Sequence, residues 1–85
     1  MIYKIKLSKA AGKQLADLPR ADAKKIAARI DKLASDPFPP NHKKLEGEDD
    51  ICRIRQGDYR ILYSVFKNEL LVEVVKIGHR REVYR

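Results

Sequence analysis

Three prolines within four positions, Pro37, Pro39 and Pro40, divide this chain into stretches with different apolar periods. Proline fixes φ, removes a backbone donor and pushes the preceding residue to extended geometry, so 36–41 must run as an extended surface loop. Before that loop, Ala23, Ile26, Ala27, Ile30, Leu33 and Ala34 form one apolar stripe, with Lys24, Lys25, Arg29 and Lys32 outside it. That spacing predicts a helix from Asp22 to Ser35. A shorter helix precedes it. Ser8 stands where an N-cap is wanted, Ala11, Leu15 and Leu18 follow at helical spacing, and Pro19 ends this helix and can open the next. A connection this short predicts a helical hairpin.

Elsewhere the apolar period is two. Tyr3, Ile5 and Leu7 alternate with Lys4 and Lys6, the pattern of a half-buried first strand. After the loop, residues 51–55 place Arg53 and Arg55 on one face and Cys52 and Ile54 on the other. Gln56, Gly57 and Asp58 read as a turn. Tyr59 to Phe66 sets Tyr59, Ile61, Tyr63 and Val65 against Arg60, Leu62, Ser64 and Phe66, and Leu70 to Ile77 is the last strand, broken at Gly78. The predicted fold is therefore α+β, in the order βααβββ, with an antiparallel sheet and the N-terminal helical hairpin packed on one of its faces. One domain spanning 1–85 is expected, since 85 residues sit near the lower size for a self-sufficient core.

Charge narrows the function. The formal net charge is +7, and the kind of cation changes along the chain: nine of eleven lysines precede residue 50, and six of eight arginines lie from Arg53 onward. Lysine is a hydrated point charge, whereas arginine presents a planar fork suited to phosphate. A basic balance of this kind points to nucleic acid or an acidic protein partner. No apolar run reaches the roughly 18 residues of a membrane span, so no membrane association is expected. The single cysteine, Cys52, allows no intrachain disulfide and fits a reducing, cytoplasmic setting.

Most catalytic constellations are missing from the sequence. No serine sits in a nucleophile elbow, no glycine-rich phosphate loop occurs, and no Cys/His set has zinc spacing. The acidic run Glu46-Gly47-Glu48-Asp49-Asp50 reads as a solvated turn rather than a cation loop, and Cys52 as a packed core thiol. Neither a metal nor a cofactor is expected. Arginine and tyrosine remain. Arg53, Arg55, Arg60, Arg80 and Arg81 come from three consecutive strands or their ends, about 4.8 Å apart. Arg60 interrupts an otherwise apolar face, where a charge needs a partner. The tail from His79 to Arg85 adds Tyr84, whose hydroxyl can pass a proton and whose ring can stack on a base.

Lys44-Leu45, Arg53-Ile54-Arg55, the block from Gly57 to Tyr63 and the terminal block from Gly78 to Tyr84 together resemble the RelE branch of the RelE/ParE toxin superfamily. The opening strand, Leu18-Pro19 and the βααβββ order match as well, so the resemblance spans essentially the whole chain. It implies the toxin of a type II toxin–antitoxin pair, held inactive by a cognate acidic antitoxin. It also implies an mRNA interferase that enters the ribosomal A site and cuts mRNA without a metal, the ribose 2′-OH attacking the adjacent phosphate to leave a 2′,3′-cyclic end. By matching position, Arg60 would hold the scissile phosphate, Arg80 would neutralise developing charge or assist the leaving oxygen, and Tyr84 would orient or deprotonate the 2′-OH. Arg53, Arg55, Arg81 and His79 are the expected substrate-binding residues.

One departure matters. Arg53 and Arg55 fall where familiar members carry lysines, and arginine effectively cannot lose a proton. Neither is a credible general base, so Tyr84 becomes the better candidate, with His79 second. Two alternatives stay open: a ParE-like inhibitor of DNA gyrase without nuclease activity, and a catalytically weak RNA-binding relative. Fold alone does not choose among them.

Overall fold

The computed structural model describes residues 2–40, 42–44 and 51–79. The elements run β1 (Lys4–Leu7), α1 (Lys9–Ala16), α2 (Arg20–Lys32), β2 (Lys43–Lys44), β3 (Ile51–Gln56), β4 (Tyr59–Phe66) and β5 (Leu71–His79). One sheet holds all five strands in the order β1-β5-β4-β3-β2. The α+β architecture and the helical pair on one sheet face are as the sequence predicts. The sheet is mixed rather than wholly antiparallel, because β1 joins β5 in parallel, Lys4 opposite Leu71 through Leu7 opposite Val74. The helical pair between β1 and the rest of the chain supplies the long connection that a parallel neighbour requires. β2 is an added two-residue strand, antiparallel to β3.

Local chemistry sets the boundaries. Ser8 caps α1: its Oγ accepts the Ala11 amide at 3.0 Å and donates to the Val75 carbonyl at 2.7 Å, so one hydroxyl ties the helix start to β5. Pro19 stands at the N-cap of α2 in extended geometry. Gly57 takes φ 61 in the turn between β3 and β4, a conformation glycine adopts at no steric cost.

The core lies between the helices and one sheet face. Ala11, Ile26, Ile30 and Leu33 pack with Cys52, Ile54, Ile61, Tyr63, Val72, Val74 and Ile77, while Leu15, Leu18, Tyr59 and Val65 cover its edge. The proline loop is pinned to this core. Tyr63, fully buried, donates its hydroxyl to the Pro37 carbonyl at 2.7 Å. Phe38 meets the His42 ring edge-on, and the Lys67 ammonium lies over its face.

Two features of β5 depart from the sequence reading. Gly78 does not end the strand; it pairs with Arg60, and the strand continues to His79. The register also slips by one residue, since Leu62 pairs with Lys76 but Tyr63 pairs with Val74. Val75 is the extra residue of a β-bulge. Its carbonyl turns to Ser8, and the Ile77 amide beyond it donates to the Gln14 side chain at 2.7 Å.

Candidate nucleic-acid interface

Strand parity decides what the face away from the helices presents. In β3 the helix-side positions are Cys52 and Ile54, leaving Arg53 and Arg55 on the other side. Register then builds rows across the sheet. Arg55 lies opposite Arg60, and Arg60 opposite Gly78. One step along, Lys43 lies opposite Arg53, Arg53 opposite Leu62, and Leu62 opposite Lys76. Directly opposed residues share a face, with β-carbons about 4.5–5.5 Å apart. Five cations therefore fall on this face across four strands, and Lys43, Arg53, Arg55 and Arg60 gather on the three outer ones.

They enclose space. A pocket of about 380 Å³ is lined by Lys43, Arg53, Ile54, Arg55 and Arg60. Among the described residues, its lining holds three guanidinium groups and one ammonium but no carboxylate. Arg60 is its floor: only 7 % exposed, it sits in a strand whose residues from Arg60 to Ser64 are all buried. A guanidinium held this deep acts in a medium of lower dielectric than water, so its attraction for an anion is less screened. Arg53 is half-buried and Arg55 exposed, so the charge is graded from the wall of the pocket to its rim. The dimensions and donors suit a phosphodiester, which arginine grips with paired N–H groups.

The structure brings together Arg53, Arg55 and Arg60 as the sequence suggests. It does not bring His79 to them. His79 pairs with Tyr59, one residue out of step with the Arg60–Gly78 row, so alternation turns it to the helix side. There it packs edge-on against the Tyr59 ring at 6.0 Å, and the Tyr59 hydroxyl donates to Asp22 at 3.2 Å. This cluster lines a separate cavity of about 350 Å³, with Lys25, Gln56 and Asp58. Arg80, Arg81 and Tyr84 lie outside the described residues. Tyr63 is not a proton-transfer group: burial pushes its phenol well above the ordinary tyrosine range, and its hydroxyl serves Pro37.

Lys43 is the pocket residue that sequence reasoning missed. A two-residue strand has no period to read. Only pairing with β3 reveals which face it joins.

A family model described as the ParE toxin of the type II toxin-antitoxin system parDE matches residues 5–84. A Methanocaldococcus jannaschii protein that bears the name toxin RelE1 is 31% identical over 88 residues, spanning 100% of this chain and 98% of its own. An Escherichia coli protein named as RelE-like toxin is 30% identical over 82 residues, spanning 94% of this chain and 85% of its own. The crystal structure of the archaeal RelE-RelB complex from Pyrococcus horikoshii OT3 superposes with a TM-score of 0.83 at 33% identity, covering 96% of this chain and 99% of that one.

Proposed function

The chain belongs to the ParE toxin family of type II toxin–antitoxin systems and is of the RelE type, and from that premise we propose that it is a ribosome-dependent endoribonuclease of mRNA. The observation that carries this reading is the cationic pocket on the open sheet face, with Arg60 buried at its floor opposite Arg55. A pocket built around fixed guanidinium groups favours a reaction in which negative charge builds on phosphorus-bound oxygens. In this reading mRNA lies across the face, Arg60 and Arg55 hold the scissile phosphate, and Arg53 steadies the neighbouring backbone. The 2′-oxygen attacks phosphorus, the bond to the 5′-oxygen breaks, and a 2′,3′-cyclic phosphate remains; no metal ion takes part. Tyr84, as its phenolate, receives the 2′-proton and Arg80 neutralises the phosphorane, while Arg81 contacts the backbone from the same tail.

The proposed partner is an acidic, RelB-like antitoxin that folds as it wraps this chain. Supporting it is a second surface, a largely apolar groove of about 350 Å³ lined by Ile5, Leu7, Leu15, Ala27, Ile30 and Asp31. The groove runs along edge strand β1, whose exposed Lys4 and Lys6 alternate with Ile5 and Leu7. The apolar side of an amphipathic segment matches its floor, and the net charge of +7 favours acidic residues on the rest of that segment.

Induction of the chain in cells, with mRNA 5′ ends mapped alongside DNA breaks, tests the reading. Cuts inside ribosome-occupied codons that vanish with Arg60→Ala are the expected result. Gyrase-linked DNA breaks with intact mRNA would overturn it in favour of a ParE-type poison.

A further inference from the structure

The pocket on the open face contains one side chain whose chemistry differs from the rest. Arg53, Arg55 and Arg60 are guanidinium groups, which effectively do not release protons in proteins. Lys43, opposite Arg53 on the outer strand β2, is the one ammonium among the described lining residues. Scission of a phosphodiester leaves a 5′-alkoxide, a poor leaving group unless a proton reaches it as the bond breaks. Guanidinium groups can stabilise that charge but are poor acids; an ammonium carries transferable protons on a four-carbon stem with wide reach. Lys43 is also exposed, so it can recover a proton from water after each turnover.

We propose that Lys43, placed by β2–β3 pairing beside Arg53 in the arginine pocket, is the general acid that protonates the leaving 5′-oxygen. This rests on the endoribonuclease reading above. The O2′–P bond forms as the P–O5′ bond breaks, the 2′-proton passes to Tyr84 as its phenolate, and the 5′-oxygen takes its proton from the Lys43 ammonium. The lysine then regains a proton from solvent and Tyr84 gives its own back to solvent, so charge and protons balance over the cycle. The assignment divides the pocket's labour: arginines for charge, one lysine for proton transfer.

A sulfur leaving group distinguishes this role from simple charge. Ribosome-programmed mRNA carrying a single 5′-bridging phosphorothiolate at the cut site leaves as a thiolate, which needs no acid. Single-turnover cleavage by wild type, Lys43→Arg and Lys43→Gln is compared on this substrate and on its oxygen counterpart. The expected result is a loss of about 100-fold or more for both variants on the oxygen substrate, the usual scale for removing a general acid. On the sulfur substrate Lys43→Arg should stay within about threefold of wild type, a loss far below that same scale. Equal slowing on both substrates, or no slowing in Lys43→Arg, overturns the assignment and leaves Lys43 as a charge or a structural contact. Wild-type protein that cuts neither substrate overturns the endoribonuclease reading itself, a failure visible before any variant is compared.

Discussion

Replacing Tyr63 with phenylalanine removes a single oxygen from the centre of the domain. The ring stays and so does its packing, because Tyr63 is fully buried among Cys52, Ile61 and Val74 in the core cluster. What disappears is the donor that meets the Pro37 carbonyl at 2.7 Å in a buried setting. Leaving that carbonyl unpaired costs about 1–3 kcal/mol, against a total of roughly 5–15 kcal/mol for a small domain. For a chain of this size each kcal/mol moves Tm by about 4–8 °C, so a fall of about 4–24 °C is expected. pH sharpens the test. The folded state holds the Tyr63 phenol neutral well above its ordinary range, whereas the unfolded chain ionises near pH 10. Above about pH 10 the unfolded wild type loses that proton and the folded protein keeps it, so stability falls by about 1.4 kcal/mol per pH unit from this group alone. The contribution is full below the unfolded pKa and declines as pH rises, and the phenylalanine variant lacks the decline. The gap between the two proteins should therefore narrow by about 1.4 kcal/mol between neutral pH and about pH 11. Urea denaturation followed by circular dichroism at both pH values measures it. An equal Tm at neutral pH, or a gap that widens in alkali, would refute the reasoning.

Arg60→Ala should reduce single-turnover cleavage by about 100- to 1,000-fold, the scale for one preorganised donor at a developing oxyanion, while antitoxin binding measured by calorimetry stays within a few-fold. Tyr84→Phe keeps the ring and removes the hydroxyl, so cleavage should fall sharply if Tyr84 takes the 2′-proton; wild-type rates would reduce it to a stacking group. Ile30→Ala opens a cavity under the α2 stripe and should cost about 2–5 kcal/mol in a denaturant titration. Ser8→Ala removes both the α1 cap and the bond to Val75, with an expected loss of about 1–2 kcal/mol; a silent substitution would mean the bulge stands without that support.

Features with a local cause were legible in the sequence. Ser8 as a cap, the α2 stripe through Ile26 and Ile30, and the opposed faces of β3 and β4 follow from periods within a few residues, and all appear in the structure. Arg53, Arg55 and Arg60 fell on one face for the same reason. Pairing across distance was not legible. That β1 lies parallel to β5, that Lys43 forms a strand, and that His79 turns from Arg60 toward Tyr59 all depend on register between segments far apart in the chain. Gly78 misled because glycine usually weakens a strand; here it stands opposite the bulky Arg60, where a strand tolerates a residue without a side chain.

The bulge at Val75 works as a frame corrector for the sheet. Before it the core-facing residues of β5 are even-numbered, Val72 and Val74; after it the core-facing residue is odd, Ile77. The inserted position lets two segments with opposite parity share one strand. Deleting Val75 would remove the bulge and leave the facing of everything downstream as it is, with Lys76 outside and Ile77 inside. Keeping Val75 but pairing the strand without a bulge would do the opposite: Lys76 and Gly78 would face the helices, and Ile77 would stand opposite Arg60, where Gly78 now leaves room. Single-residue insertions are usually absorbed by loops, but here the strand itself absorbs one, and the bulge keeps the inside and the outside of the protein from exchanging.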